Sequence, residues 1–160
     1  MNLVGIGYDV HRFAPGRALI LGGVEIPHSH GLEGHSDADV LAHAIADAML
    51  GAIGELDIGH HFPNSDESIR GISSLEILRK VTDLLAAAQA RVINVDATLI
   101  AEAPKIGPHV QEMRQNLAKA LRIPAVRVGV KATTNERMGF LGRSEGIAAM
   151  AVASVEQNAP

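Results

Sequence analysis

The sequence predicts an α+β domain in which a mixed β-sheet carries helices on one face. Helical and strand patterns alternate along the 160 residues, and the chain opens with a long strand followed by a hairpin. There are only four aromatic residues, so the core must be built from aliphatic side chains and from 24 alanines. Such a core buries little area per residue and leaves the second sheet face for a partner. Another copy of the chain is the simplest candidate.

The first third of the chain contains three strand patterns and the start of one helix. The strand patterns consist of β-branched and apolar residues between glycine or proline breaks, and they cover residues 3–13, 18–21 and 24–26. Because Gly22 and Gly23 separate the last two, these are predicted to form a hairpin. Ser36, three residues before Asp39, forms a pattern similar to a capping box, which predicts a helix from this point to about Gly54.

A polar segment follows from Gly54 to Gly71 and contains Pro63. Loops of this length inside a compact domain are more often functional lids than plain connections. We therefore expect this segment to be mobile in the absence of a ligand.

The remaining chain alternates helices with strands. Helix patterns cover residues 73–90, with apolar side chains mainly at a period of 3.6, and residues 110–121, bounded by Pro108 and Pro124. Strand patterns cover residues 92–100, 127–131 and 147–155, and a glycine-rich loop spans residues 133–146. No repeat or linker interrupts the chain, so residues 1–157 are predicted to form a single domain, with no separate tail beyond residues 158–160.

Composition and charge exclude several classes of function. Without cysteine the chain has no disulfide and no thiolate metal site, so any transition metal must be held by carboxylates and by the eight histidines. The 14 basic and 18 acidic residues give a formal charge of −4 without a basic cluster, which argues against nucleic acid. No apolar run approaches the roughly 20 residues of a membrane span. These features predict a cytoplasmic protein with neither a membrane nor a nucleic-acid partner.

A strand and a helix each carry potential metal ligands. Asp9 and His11 lie two residues apart in the first strand, so they share one face of the sheet and are close enough to share an ion. His43 lies one turn after Asp39 and one turn before Asp47, on the polar side of the predicted helix. Three ligands of mixed His and Asp with an open fourth position form the arrangement of catalytic zinc sites. The alternatives are a solvated strand face and an ordinary exposed helix face with i, i+4 pairs.

Candidate anion-binding groups occur at two places. His35 precedes the predicted helix N-terminus, where positive polarisation attracts anionic substrate groups. Lys131 and Arg143 flank hydroxyl and amide side chains in the glycine-rich region, and such groups suit phosphate oxygens. Glu136 among them indicates a divalent ion that bridges carboxylate and phosphate. The alternative is a wide hairpin whose glycines serve turn geometry only.

The sequence offers no covalent nucleophile. There is no cysteine, and no serine stands in an elbow-type glycine motif. The predicted chemistry is therefore metal-assisted displacement at phosphorus.

Six blocks carry a recognisable pattern, and they cover residues 7–11, 35–39, 50–59 with 62–63, 94–96, 103–105 and 131–146. In this order they closely resemble the 2-C-methyl-D-erythritol 2,4-cyclodiphosphate synthase family of the non-mevalonate isoprenoid pathway. The resemblance implies a homotrimer packed through its sheets, with three active sites at subunit interfaces. It implies a phosphorus–oxygen lyase that converts 4-diphosphocytidyl-2-C-methyl-D-erythritol 2-phosphate to the cyclic diphosphate and CMP. It further implies one Zn²⁺ per subunit and a second divalent ion, Mg²⁺ or Mn²⁺.

The resemblance also implies roles for individual residues. The implied zinc ligands are Asp9, His11 and His43, and the implied ligand of the second ion is Glu136. The implied catalytic residues, which stabilise the transition state, are His35 and Thr134. Implied substrate contacts on the zinc side and along the erythritol segment are Asp9, His11, His35, Ser36, Asp57, Ile58, Gly59, Phe62, Pro63, Asn64, Ser65 and Asp66. Implied substrate contacts in the cytidine pocket of a neighbouring subunit are Ala101, Glu102, Ala103, Pro104, Lys105, Ile106, Gly107 and Thr133. Further implied substrate contacts are Thr134, Asn135 and Glu136 and, near the trimer axis, Phe140 and Arg143.

Three places depart from the family's usual pattern. Glu102 stands where Gln is common, Ala38 where Gly is usual, and Asn64-Ser65 where Asp-Thr is frequent. Two other functions remain open at this point. One is a zinc-dependent phosphoesterase that uses an activated water, and the other is a non-catalytic trimeric module that binds a metal or a ligand.

Overall fold

A computed structural model describes residues 1–158. Of the chain end discussed above, residues 158–160, the last two lie outside the described residues. The strands are β1 (Asn2–Ala14), β2 (Leu19–Leu21), β3 (Val24–Ile26), β4 (Gly31–Leu32), β5 (Ala90–Ile100), β6 (Val128–Thr133) and β7 (Gly146–Gln157). The helices are α1 (Val40–Ala52), α2 (Ile58–His61), α3 (Ser74–Ala87), α4 (Val110–Leu121) and α5 (Gly139–Gly142). None of the helices within residues 1–158 is long and apolar enough to cross a membrane.

Five strands form one mixed sheet in the order β4-β1-β7-β5-β6, and β2 pairs with β3 in a separate hairpin. β7 runs antiparallel to both β1 and β5, whereas β5 and β6 are parallel. The predicted α+β class with a mixed sheet is therefore confirmed. In this register Asp9 is level with Ala149, Leu99 and Ala132 on successive strands. Because β1, β5 and β6 run in the same direction, their carboxyl ends lie at the same end of the sheet.

The helix that covers the centre of the sheet, α1, lies very close to β1. A Cβ added at Gly7 would meet the carbonyl oxygen of Ala44 at 1.9 Å, and one added at Gly5 would meet that of Ala48 at 2.0 Å. Glycine on the strand and small residues on the helix permit this approach, which larger side chains would prevent. The close packing brings the backbone of α1 against the strand that carries two of the predicted metal ligands.

The opposite face of the sheet is apolar and exposed. Its exposed side chains are Val4, Ile6, Tyr8 and Val10 on β1, with Met150 and Val152 on β7. Ile6 pairs with Val152 and Tyr8 pairs with Met150 across the two strands, so the patch is contiguous. Single exposed apolar residues are normal, but a contiguous apolar face indicates an interaction surface.

Helix α1 begins later than the sequence indicated and is buried on nearly all sides. Its N-cap is Asp39, whose carboxylate accepts the Ala42 N–H at 3.1 Å, and not the predicted Ser36. Ala38 has a φ of +57°, which breaks the helical path between the two positions. His43 is only 6% exposed, so the alternative of an ordinary exposed helix face is wrong. The polar side chains of α1 face the inside of the molecule.

Two predicted loops contain more structure than their sequences indicate. Segment 54–71 holds α2 and is tied to the body by hydrogen bonds from the Ile58 N–H to Asp47 and from the Gly71 N–H to the His35 carbonyl, both 2.8 Å long. Its mobility without ligand stays a prediction. Segment 133–146 holds α5 and connects β6 to β7, which are not neighbours because β5 lies between them. The wide-hairpin alternative is therefore wrong.

Candidate metal centre and substrate site

Three predicted metal ligands converge between β1 and α1. His11 Nε2 lies 2.9 Å from Asp9 Oδ2, His43 Nδ1 lies 3.0 Å from the same oxygen, and the two nitrogens are 3.3 Å apart. Within residues 1–158 this is the one group of three or more histidine or acidic side chains that could hold a metal ion. The strand period places Asp9 and His11 on one face, and the close approach of α1 adds His43.

Hydrogen bonds fix which nitrogen of each imidazole faces the cluster. His11 Nδ1 lies 2.6 Å from the Glu33 carbonyl oxygen, so this nitrogen carries a proton and donates it. His43 Nε2 lies 2.8 Å from the Ser74 hydroxyl, which in turn donates to the Asp37 carboxylate. Because the hydroxyl proton is used in that bond, His43 donates to Ser74 through Nε2. The cluster-facing nitrogens of both rings are then free acceptors.

The cluster therefore brings three acceptors together with no donor among them. Such a group needs a proton or a cation at its centre, since lone pairs and a carboxylate repel one another. Zinc binds its ligands at about 2.0 Å, so tetrahedral ligand atoms lie roughly 3.3 Å apart. The separations observed run from 2.9 to 3.3 Å. Two imidazoles and one carboxylate are also a donor set of catalytic zinc, so the residues present fit this ion.

The electrostatics of the cluster reflect the same convergence. Burial raises the pKa of Asp9, but hydrogen bonds and charge interactions with His11 and His43 outweigh it and hold the pKa below its ordinary value. Burial lowers the pKa of His11, yet the hydrogen bond to Asp9 and its charge raise it above its ordinary value overall. At a pH below the raised pKa of His11, a metal ion would therefore displace a proton held between these side chains.

A cavity of about 360 Å³ opens beside the cluster. Besides the three ligands, the predicted substrate-binding residues that line it are His35, Ser36, Asp57, Ile58, Gly59, Phe62 and Asn64. Three further predicted contacts are exposed on the same segment without lining the cavity, namely Pro63, Ser65 and Asp66. His35 Nε2 donates to the Asp66 carbonyl at 3.1 Å, which connects this segment to the start of α1. The predicted erythritol-binding segment thus lies over the candidate metal centre.

A second group of predicted residues lies at the ends of β5 and β6. The Thr134 hydroxyl donates to Glu136 Oε1 at 3.3 Å and accepts the Glu136 N–H at 3.2 Å. The Ala101 N–H donates to the Thr133 carbonyl at 2.9 Å, which extends the parallel ladder. The predicted cytidine segment therefore lies beside the hydroxyl residues.

The predicted cytidine segment is only partly exposed. Ala101 and Ile106 are buried, Ala103, Lys105 and Gly107 are exposed, and the Ala103–Pro104 peptide bond is cis. The carboxylate of Glu102 points to the neighbouring loop, where one oxygen accepts the N–H groups of Asn135 and Arg137 at 2.9 and 3.1 Å. That oxygen is thereby engaged within the protein.

The cations predicted to bind phosphate are already paired. Lys131 Nζ lies 2.7 Å from both carboxylate oxygens of Asp96, and Arg143 Nε lies 2.9 Å from Glu145. These pairs are exposed, and exposed pairs are weak enough to exchange partners with a ligand. Phe140 is exposed and lines a second cavity of about 690 Å³, whose lining also includes His11.

The two groups of predicted residues are far apart within one chain. Three strand spacings separate β1, which carries Asp9, from β6, which leads to Glu136. At about 4.8 Å per spacing the lateral separation is roughly 14 Å. Both groups lie towards the carboxyl ends of β1, β5 and β6, yet Glu136 is not a member of the metal cluster. Within one chain, the structure therefore does not bring the two groups of predicted residues together.

Four residues support the site that the sequence analysis had not assigned to it, namely Arg17, Glu33, Asp37 and Ser74. Arg17 donates to two main-chain carbonyls of the segment before α1, at 2.7 and 2.6 Å, and the other three orient the imidazoles. Asp37 lies inside the capping-like motif, which was the one available signal. Ser74 is 31 residues from the histidine that it contacts, and no periodic pattern connects them.

Comparisons with known proteins match nearly the whole chain. The profile of the YgbB family matches residues 2–156. A 2-C-methyl-D-erythritol 2,4-cyclodiphosphate synthase of Syntrophomonas wolfei is 57% identical over 154 residues, which cover 96% of this chain and 98% of that protein. The solved structure of the bifunctional IspDF of Campylobacter jejuni has a TM-score of 0.94 and 39% identity, covering 99% of this chain and 43% of that one. IspF of Plasmodium falciparum, in a complex with CDP, has a TM-score of 0.85 and 32% identity, covering 98% of this chain and 97% of that one.

Proposed function

The chain belongs to the YgbB family, and from this premise we propose that it converts 4-diphosphocytidyl-2-C-methyl-D-erythritol 2-phosphate to 2-C-methyl-D-erythritol 2,4-cyclodiphosphate and CMP. Its relatives are named for this activity. In this proposal the enzyme is a phosphorus–oxygen lyase of the non-mevalonate isoprenoid pathway. The observation that carries the proposal is the cluster of Asp9, His11 and His43, whose free acceptors face a cavity lined by predicted substrate-binding residues.

Two sets of side chains would hold the metal ions. Asp9, His11 and His43 would bind one zinc ion per subunit, and the carboxylate of Glu136 would bind Mg²⁺ or Mn²⁺. When bound, the ions supply Lewis acidity and neutralise charge at the diphosphate. Ser74 contributes by keeping the His43 ring in the tautomer that accepts at Nδ1.

The proposed reaction is a displacement within one bound molecule. A 2-phosphate oxygen attacks the β-phosphorus, the bond from that phosphorus to the bridging oxygen breaks, and CMP leaves with this oxygen. The 2-phosphate is already anionic at neutral pH, so no general base is required. Because nucleophile and target belong to the same molecule, the main task of the protein is to position them.

The chain's own residues would supply binding and transition-state stabilisation. His35 lines the cavity beside the metal centre, and Thr134 presents an exposed hydroxyl next to Glu136. Hydrogen bonds from both to phosphate oxygens would stabilise the charge that develops there. Segment 57–66 would hold the erythritol unit, and segment 101–107 with Thr133 would hold the cytidine.

We propose that a homotrimer packed through the sheets completes each site. The exposed apolar face of β1 and β7 supports this assembly, because burying it against other copies would remove a contiguous apolar patch from water. The roughly 14 Å between β1 and β6 also supports it. A neighbouring copy that brings its Glu136 loop to the zinc ligands of the first would join the two groups of predicted residues.

The remaining features of the proposal concern location and partners. A cytoplasmic enzyme with one catalytic domain of residues 1–157 fits a chain without cysteine, which needs no oxidising compartment. A small cytidine diphosphate substrate, rather than nucleic acid or a membrane, fits a chain with a formal charge of −4 and no basic cluster.

Product analysis tests the proposed function directly. The protein is incubated with the cytidylated substrate and Mg²⁺, and the products are followed by phosphorus NMR. The proposal predicts a cyclic diphosphate and CMP in equal amounts, and it predicts no cyclic product with His43→Ala. His109→Ala, a variant outside both groups of site residues, is the control and should retain activity. A linear phosphate product would instead indicate a phosphoesterase, and unchanged substrate would indicate a binding module.

A further inference from the structure

We propose that Glu102 is a positioning residue that holds the turn carrying Glu136. This inference rests on the proposed function, in which Glu136 binds the second divalent ion. Glu102 Oε1 accepts two main-chain N–H groups, from Asn135 at 2.9 Å and from Arg137 at 3.1 Å. The two donors are the residues immediately before and after Glu136. One carboxylate oxygen therefore binds the backbone on both sides of the proposed ligand.

The turn that Glu102 binds has an unfavourable backbone conformation. Glu136 and Arg137 have φ values of +52° and +61°, in the left-handed region that residues other than glycine rarely occupy. The Met138 N–H donates to the Asn135 carbonyl at 2.9 Å, which closes a β-turn with the two left-handed residues at its centre. Such a conformation persists only where its surroundings impose it. Glu102 provides charge-assisted hydrogen bonds for this purpose.

The position of Glu102 is itself fixed by the sheet. It follows Ala101, whose N–H donates to the Thr133 carbonyl and so continues the pairing of β5 with β6. Glu102 is partly buried, whereas Thr134 and Glu136 are exposed. The carboxylate thus connects a rigid part of the fold to an exposed turn. With the turn held, the Glu136 side chain stays against the Thr134 hydroxyl, at 3.3 Å.

This assignment changes the role predicted for Glu102. The family resemblance implied a contact in the cytidine pocket, but Oε1 is engaged with two backbone donors. Either a glutamate or a glutamine offers an oxygen at this place, so the departure from the family's usual Gln preserves the acceptor. A residue without an acceptor would leave both N–H groups without this partner.

The test compares Glu102→Gln, which keeps the acceptor, with Glu102→Leu, which removes it. Glu112→Leu, the same change on the exposed side of α4, is the matched control. Amide hydrogen exchange at Asn135 and Arg137 is measured in the metal-free and substrate-free protein. We expect exchange to be about tenfold faster at both amides in Glu102→Leu, the factor for loss of one hydrogen bond, and close to wild type in the other two variants. Unchanged exchange in Glu102→Leu would overturn the proposal.

Manganese binding provides the second readout. The loss of the free Mn²⁺ EPR signal is titrated with CDP present to supply the diphosphate. Glu102→Leu should require roughly tenfold more Mn²⁺ for half-saturation while its zinc content stays full, and Glu102→Gln should bind like wild type. Faster exchange with unchanged Mn²⁺ binding would overturn the positioning role. If wild-type protein forms no cyclic product, the proposed function fails, while exchange and Mn²⁺ binding still decide the role of Glu102.

Discussion

The two halves of the proposed site are built in different ways. The zinc-side half uses side chains on β1 and on the buried helix α1, and each imidazole is oriented by a further hydrogen bond. The Glu136 half lies on an exposed turn beyond the edge strand β6 and is held by local contacts. In the proposed function, the half built into the core would bind its ion within one chain. The half on the exposed turn would need a second copy and a ligand to become complete.

The largest effect should distinguish the two halves by their metals. His43→Ala removes one of only three zinc ligands, so zinc should be lost and activity should fall by at least about 10³-fold. Glu136→Gln should retain full zinc by elemental analysis, with turnover greatly reduced and partly recovered at high Mg²⁺ or Mn²⁺ by mass action. Zinc loss in Glu136→Gln, or activity and zinc retained in His43→Ala, would contradict the assignment of zinc to the His43 half and of the second ion to the Glu136 half.

Next in size is a packing effect on the zinc-side half alone. Gly7→Ala places a Cβ 1.9 Å from the Ala44 carbonyl oxygen and must push α1 away from β1. We expect the free energy of unfolding to fall by about 2–3 kcal/mol, as for other overpacked cores, and zinc affinity to fall with it. Gly51→Ala on the same helix has space, with its nearest contact at 3.9 Å. This control should be stabilised by up to about 1 kcal/mol, and urea unfolding measures both variants. Equal stability of the two would contradict the close packing.

A subtler change acts only on the orientation of His43. Ser74→Ala removes the nearer of two hydroxyl oxygens beside His43 Nε2, at 2.8 Å, together with the hydroxyl link to Asp37, and leaves only Ser36 Oγ at 3.2 Å. Loss of such a supporting hydrogen bond should weaken zinc binding by about 10- to 100-fold, measured by chelator competition. Ser73→Ala is the control, because the neighbouring hydroxyl makes no capping hydrogen bond and its loss should leave zinc affinity unchanged. Similar affinities for both variants would remove Ser74 from the site.

The smallest effect concerns protons. The pKa of His11 is raised above 6.5 by Asp9, so in the metal-free protein their interaction stabilises the fold fully from about pH 3.8, where Asp9 is ionised, up to about pH 6.5, and it is lost as the pH rises through the raised pKa of His11. Zinc must displace that proton, so its affinity should increase by up to about tenfold per pH unit between pH 6 and 7. Chelator competition at several pH values measures this slope. A zinc affinity independent of pH in this window would mean that no proton is displaced.

The same contrast separates what the sequence could predict from what it could not. Periodicity placed Asp9 and His11 on one face of a strand and His43 on a helix, and the structure confirms that these three converge. It also predicted a mixed α+β fold. Periodicity did not predict that α1 is buried on nearly all sides. This burial depends on the close approach of the helix backbone to Gly7, where any larger residue would clash. Local patterns carry no information about such tertiary contacts.

The errors have equally local causes. Ser36 and Asp39 both suit a helix cap, and the left-handed Ala38 between them decides in favour of the later one. The alternative of a wide hairpin at residues 133–146 was excluded only because β5 lies between β6 and β7 in the sheet. The roles of individual substrate-binding residues came from the family resemblance, and they stay predictions until a ligand is bound.

Subunit complementation tests the central claim, that each active site joins the zinc ligands of one copy to the Glu136 turn of another. His43→Ala and Glu136→Gln proteins are mixed in equal amounts under conditions of confirmed subunit exchange and assayed at low Mg²⁺. In a ring of random composition about one site in four combines two intact halves, so activity should recover to about a quarter of the wild-type value. Activity that stays at the level of the separate variants, despite confirmed exchange, would show that each site is made within a single chain.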